Sequence, residues 1–480
     1  MSAKSSKLLD TARRLDAAGK HEDALLAFRQ LLETCPDSID GWVDVGGLLL
    51  VLGRFQEARE ACGAALKLDP RHYGAQVHFA AALMHLDCLD EADACFREAI
   101  GREPGRPAGR LMHSDCLIRQ GKLEQARTEL EKVLEREPFN QAALDRRNTL
   151  MVRQGDWASL RLDMERQLEG YSGPEAEYVA SHRDLLFGDM PGGWDRFESR
   201  LAIPNRMPRR NYPQPIWEGN PFPDKTLLLT WEQGFGDSLM FLRFAPMVKA
   251  LGGRVLLLVQ PPLAHLAATC PGIDLVIAEE ALLPPFDWHT SLLSLPHLFR
   301  TRLDSIPTDV PYLRTPDSIP ARQDIDGLLS TTSDRLRVAL CWAGNSRHSR
   351  DAKRSLPAAA LAPLSAIPGV AWYSFQYEAQ EEPPLPGLVP LGPLMKAFSN
   401  TAHALCGMDL VITVDTVLAH LAGALGLPTF TLLSFIPDWR WMLGRDDSPW
   451  YPTMRLYRQP APGDWEAVIQ QVVRDLSSPE

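Results

Sequence analysis

The sequence predicts two folds in series: an all-helical solenoid over residues 1–201, and an α/β region of two Rossmann-like halves over residues 225–480. Three observations carry this reading. Landmark residues recur every 34 positions in the first part, a proline-rich stretch interrupts the chain at 202–224, and short apolar runs then alternate with amphipathic segments.

The repeat is read from four sets of landmarks. Gly19, Gly53, Asp87, Gly121 and Gly155 lie 34 residues apart, and Ala24, Ala58, Ala92 and Ala126 keep the same interval. Pro36, Pro70, Pro104 and Pro138 share the phase, while Phe28, Cys62, Phe96 and Leu130 hold a larger apolar slot. A turn residue starting a second helix, a small residue where two helices meet and a proline ending the unit make a helix–turn–helix repeat. Over about residues 5–165 these segments resemble tetratricopeptide repeats, which stack into a solenoid with a concave protein-binding face. A spacer or dimerisation role is the plainer alternative. GDMPGGWDRFESRL (188–201) reads as a degenerate turn and helix that caps the array.

Residues 202–224 have neither helical nor strand periodicity and read as an ordered linker. Beyond it, KTLLLT (225–230), RVLLLVQ (254–260) and DLVIAE (274–279) are expected buried strands separated by helices at 237–251 and 262–269. RVALCWA (337–343), AWYSFQ (371–376), DLVITVD (409–415) and PTFTLLS (428–434) form a second set. The alternation implies parallel sheets in two halves, 225–335 and 336–480. Ligands of such sheets bind beyond the carboxyl ends of the strands, which directs attention to the loops 231–237, 342–355, 376–379, 413–417 and 434–441.

Composition narrows the function classes. The chain is 45% hydrophobic and 23% charged, as expected of a folded protein, and its formal charge of -11 provides no overall attraction to nucleic acid. Cys35, Cys62, Cys88, Cys95, Cys116, Cys270, Cys341 and Cys406 form no C-x-x-C pair and read as reduced thiols. The N-terminus has no signal-type apolar region and no run reaches the ~18 apolar residues of a membrane span, so a cytoplasmic location and no transmembrane segment are expected.

Three loops carry candidate chemistry. WEQGFGD (231–237) places Gly234 and Gly236 where a strand turns into a helix, with Asp237 as either a helix cap or a working carboxylate. Neither G-x-G-x-x-G nor G-x-x-x-x-G-K-[ST] is present, which disfavours dinucleotide redox chemistry and a P-loop ATPase. CWAGNSRHSRDAKRSLP (341–357) gathers Asn345, Arg347, His348, Arg350, Asp351, Lys353, Arg354 and Ser355, a density of cations and donors that suits a diphosphate. In DLVITVDTVLAHLAGALGLP (409–428), Thr413, Asp415 and Thr416 precede a helix carrying His420, which reads as either a core histidine or a ligand contact.

GFGD (234–237), CWAGN…H…D…RS, SFQ (374–376), VDTVLAHLAGALG (414–426) and PDWRW…SPWYP (437–452) together resemble the heptosyltransferase-like glycosyltransferases that follow tetratricopeptide arrays in bacteria. A more distant likeness is to the protein O-GlcNAc transferases. The resemblance covers 225–475 and implies a GT-B fold, a nucleotide-sugar donor, inversion at the anomeric carbon and no required metal or other cofactor. It implies Asp237 as general base, with Gly234, Gly236, Asn345, His348, Arg354, Ser355, Gln376, Asp415, Thr416 and His420 on the donor. Arg354 stands where the family usually has lysine, and Asn400 and Thr401 replace a common Asp-Thr pair. Trp342, Trp439 and Trp441 are expected to pack first and to contact a nucleotide second.

The expected function is therefore metal-independent glycosyl transfer to a hydroxyl of a protein held by the repeats, with flagellin as an acceptor that proteins of this layout suggest. The rivals are a lipopolysaccharide-core transferase and a non-catalytic scaffold. Nucleic acid is not an expected partner.

Overall fold

The computed structural model describes residues 3–166, 168, 172–204, 210, 212–330, 334–344, 351–377 and 381–477. The chain divides into two compact units, Met1–Asp163 and Met164–Glu480.

The first unit is built from helix pairs. Ala3–Ala17 and His21–Thr34, Ile39–Val51 and Phe55–Leu68, Tyr73–His85 and Leu89–Arg102, Pro107–Arg119 and Leu123–Leu134 are followed by Gln141–Gln154 and Trp157–Arg166. The landmark turn residue of each pair sits in the left-handed region: φ is +74° at Gly19, +70° at Gly53, +65° at Asp87, +75° at Gly121 and +68° at Gly155. That conformation reverses the chain between the two helices and is open to glycine at little steric cost, which accounts for the strict period. Ala24, Ala58, Ala92 and Ala126 have no exposed surface, and Phe28, Cys62, Phe96 and Leu130 are buried above them. Thus the turn, alanine and larger apolar landmarks read from the sequence each have a packing or backbone reason.

Among the described residues the second unit holds ten strands in two all-parallel sheets. The first sheet contains β1 (Thr226–Thr230), β2 (Arg254–Leu258), β3 (Leu275–Ile277) and β4 (Trp288–Ser291) in the order β3-β2-β1-β4. The second contains β5 (Leu336–Cys341), β6 (Val370–Ser374), β7 (Val389–Pro390), β8 (Leu410–Val414), β9 (Thr429–Leu433) and β10 (Met454–Arg458), ordered β10-β9-β8-β5-β6-β7. Leu228 pairs with Leu256 and Leu340 with Ile412, so the central strands are buried on both faces and read as continuous apolar runs. Chain order reverses between β1 and β4 and between β5 and β8, which opens a crevice at the carboxyl end of each sheet.

Three strands escaped the sequence reading. β4 carries the polar run Trp288-His289-Thr290-Ser291, β7 has two residues, and β10 has Arg455 exposed within it. The helix expected over 237–251 is broken into Phe235–Phe241, a 3-10 turn at Leu242–Phe244 and Ala245–Ala250. Pro246 opens that last piece, and proline is best tolerated in a first helical turn.

The boundary near residue 201 also shifts. Pro174–Leu186, Met190–Phe197 and the 3-10 turn Glu198–Ala202 belong to the second unit, where Tyr178, Leu185, Trp194 and Phe197 join the core of Phe241, Phe244 and Trp450. The segment expected to cap the repeats is amphipathic, and its apolar face is buried in the α/β unit instead. The described part of the 202–224 linker packs there too: Trp217 donates its backbone N–H to His289 O at 2.9 Å, and Phe222 is buried.

Candidate active site

The glycine loop at the end of β1 turns into the helix Phe235–Phe241, and Asp237 closes that turn by accepting the Gly234 backbone N–H on Oδ2 at 2.9 Å. Its Oδ1 accepts from Arg440 Nη2, in an ion pair between residues 203 apart in sequence. A carboxylate has about four lone-pair directions, so a cap and one guanidinium contact leave acceptor capacity for a ligand.

Three consecutive residues of this loop touch the second half. Phe235 packs on Phe398 with ring centroids 5.1 Å apart. A methyl group at Gly236 would lie 2.8 Å from His420 Cδ2, so the absence of a side chain is what lets the loop approach the helix Val417–Ala424. Asp237 meets Arg440. The loops after β1, β8 and β9 thus converge.

Arg440 lies on the 3-10 turn Trp439–Trp441, which Asp438 caps by accepting the Arg440 backbone N–H at 3.1 Å. The same Asp438 oxygen accepts Arg440 Nη1 at 2.6 Å, and the guanidinium covers the Trp439 ring at 4.3 Å. Burial raises and Arg440 lowers the Asp438 pKa, and the arginine prevails, leaving the carboxyl below its ordinary value. Asp415, at the end of β8, is pushed up to about 6 by burial and by the neighbouring Asp438 charge. Trp441 favours its ionised form, although the buried indole N–H lacks full hydrogen-bond geometry to any described partner.

His420 is buried, with Nδ1 at 3.0 Å from the Tyr451 hydroxyl and its face stacked on Trp441 at 5.5 Å. Burial, with Arg440 nearby, lowers its pKa to about 3, so the ring is neutral at physiological pH. These contacts make His420 a spacer between the glycine loop and the Trp441 turn. Thr416 caps its own helix, accepting the Leu418 N–H at 3.3 Å and bonding Thr413 at 3.2 Å.

The described parts of the loop after β5 are braced by Ser355 within it and by Gln376 after β6. Ser355 Oγ accepts the Gly344 N–H at 2.9 Å, and the Gln376 amide accepts from Ala343 N at 3.1 Å and donates to Ala343 O at 3.0 Å. Arg354 donates to Asp351 at 3.2 Å and to the Asp415 carbonyl at 3.1 Å, tying this loop to the one after β8. Asn345 and His348 lie outside the described residues. Trp342, Trp439 and Trp441 are all buried and pack, as expected first.

Two arginines from the polar interior were missed in the sequence. Arg200, with 0% exposure, holds Glu232 through contacts of 2.8 and 3.1 Å and donates to Ser294 at 2.8 Å. It comes from the helical segment before the linker and secures the residue that opens the glycine loop. Arg440 was visible only as part of a tryptophan-rich motif, and no spacing connects it to Asp237. No cluster of His, Cys, Asp and Glu among the described residues has the form of a metal site.

Residues 9–73 and 89–146 each match the tetratricopeptide-repeat family. The helical array is made of tetratricopeptide repeats. Such repeats are a protein-binding architecture, and here successive first helices are joined along one face. Arg13 donates to Asp44 at 3.0 Å, His78 lies 3.3 Å from Val43 O, and Arg146 grips Asp115 at 3.0 Å. The chain is also 30% identical to Protein FlbA of Caulobacter vibrioides over 321 residues, which is 61% of this chain and 53% of that protein. It therefore spans about half the length of that curated relative. Among solved structures, a thermophilic tetratricopeptide protein of Thermus thermophilus is 18% identical, with 37% of this chain and 96% of that one covered at a TM-score of 0.33. The type IV pilus biogenesis factor PilW is 15% identical, with 42% and 94% covered at a TM-score of 0.35. No helix among the described residues is long and apolar enough to cross a membrane.

Proposed function

We propose that the α/β unit is a GT-B-type glycosyltransferase that moves a sugar from a nucleotide donor to a hydroxyl of a protein held by the tetratricopeptide repeats. The observation that carries this reading is the convergence of the glycine loop with the ends of β8 and β9, which puts Asp237 beside Arg440 and near His420. The two halves thus face each other through the loops where parallel sheets bind ligands.

In this reading Asp237 takes the acceptor proton on its remaining lone pair. The acceptor oxygen bonds to the anomeric carbon as that carbon's bond to the leaving phosphate breaks, and the electron pair departs with the nucleotide. Charge on the leaving group is met by Arg354 and the amino end of Val417–Ala424. No metal ion is assigned a step. Flagellin is the first acceptor to test, on the family resemblance and the layout.

Donor binding is tested by titrating the full chain with UDP-, ADP-, GDP- and CMP-sugars and following its melting temperature. One class should stabilise it by about 2.7 kcal/mol at a hundredfold excess over Kd. Stabilisation by none of the four, with retained binding of a protein partner, would replace the transferase by a scaffold.

A further inference from the structure

Asp237 sits at the start of a seven-residue helix, where its own cap to Gly234 fixes only one oxygen. The other oxygen is held by a guanidinium that is itself fixed by several contacts. Arg440 is flanked by two buried tryptophans, its backbone N–H and Nη1 both bond Asp438, and its plane rests on Trp439. Its side chain is 13% exposed, the same as that of Asp237. Asp438 and Asp237 therefore share one cation, with Asp415 close enough to feel it. An arginine needed only for stability would be satisfied by Asp438 on its own turn. Instead its second nitrogen crosses to the other half of the unit.

We infer that Arg440 is the positioning residue for Asp237, holding the carboxylate of the first half at a set place against the second half. This rests on the transferase reading. The guanidinium remains bonded to Oδ1 while the acceptor proton goes to a free lone pair of the same carboxylate, so no group has to leave for the step to occur. Displacement of a reacting group by about 1 Å costs on the order of 100-fold in rate, which sets the expected scale.

The experiment uses the full chain with the same four nucleotide sugars, measuring nucleotide release with water or the protein as acceptor. Arg440→Gln should lower kcat about 100-fold with KM for the donor within about threefold, and Arg440→Lys should recover part of that loss. Asp237→Asn combined with Arg440→Gln should be no slower than Asp237→Asn alone, because both remove one unit. If Arg440→Gln fails to fold, Arg440→Lys is compared with wild type and alone decides: an unchanged kcat overturns the role. A loss carried by KM would make Arg440 a donor ligand instead, and additive losses in the double variant would separate it from Asp237. A wild-type chain that neither binds nor turns over any donor would overturn the transferase reading itself and this role with it. Turnover by wild type with an indifferent Arg440 would overturn the role alone.

Discussion

Asp415 and His420, five residues apart, have pKa values shifted in opposite directions. Asp415 is raised to about 6 by burial and Asp438, so the folded protein holds its proton more tightly than the unfolded chain does. The ionised form therefore costs stability above that pKa, and the cost fades as pH falls through 6 toward the ordinary aspartate value. His420, lowered to about 3, behaves oppositely: its contribution is full above the unfolded histidine value near 6.5 and is lost as pH falls toward 3. Asp415→Asn removes the first effect and keeps the second. Its melting temperature should exceed that of wild type at pH 8 and match it at pH 4. The carboxylate faces Asp438, Arg440, Arg354 and Trp441, so the comparison is best made at fixed ionic strength. Several side chains expected on a donor are already committed to the protein: Ser355 and Gln376 to backbone groups, Thr416 to its own helix. Residue type showed that these positions are polar and near a strand end. It could not show that their hydrogen bonds are spent on shaping the loops, because a loop brace and a ligand contact use the same chemistry.

The recurrent turn is the clearest case of an element written in sequence. A left-handed residue is needed once per repeat, and four of the five positions are glycine while Asp87 takes the same φ at a steric cost. Gly53→Ala should destabilise the array by about 1–2 kcal/mol, and Asp87→Gly should stabilise it by less than about 1 kcal/mol. Thermal melts of the two variants should move in opposite directions. The buried parallel strands were equally legible, since β1, β2, β5, β8 and β9 are strands of five or six residues made mostly of apolar side chains. Strands β4, β7 and β10 were not. Each lies last in its sheet, where among the described residues the outer flank meets at most an isolated bridge, Ile216 to His289 and Asp447 to Arg455, and such polar residues are tolerated.

At the scale of the molecule, the helical segment Pro174–Ala202 decides where the second unit begins. Its role was not legible, because an amphipathic helix announces that it has an apolar face without naming what covers it. Trp194 and Phe197 lie in the α/β core, and Arg200 is the counter-charge of Glu232. A chain starting at residue 203 should therefore be insoluble or molten, with a broad unfolding transition. One starting at residue 172 should unfold cooperatively, and calorimetry distinguishes the two. Leaving Glu232 buried without Arg200 alone should cost about 3–5 kcal/mol.

This placement also says how the molecule can be recombined. The proline-rich stretch looks like the natural seam for exchanging one binding array against another, yet a chimera joined there would inherit an α/β unit stripped of Trp194, Phe197 and the partner of Glu232. A graft that carries residues 172–202 along with the recipient keeps that interior whole. Lineages that have swapped arrays should be found to have moved the repeats and left Pro174–Leu186 and Met190–Phe197 with the α/β unit.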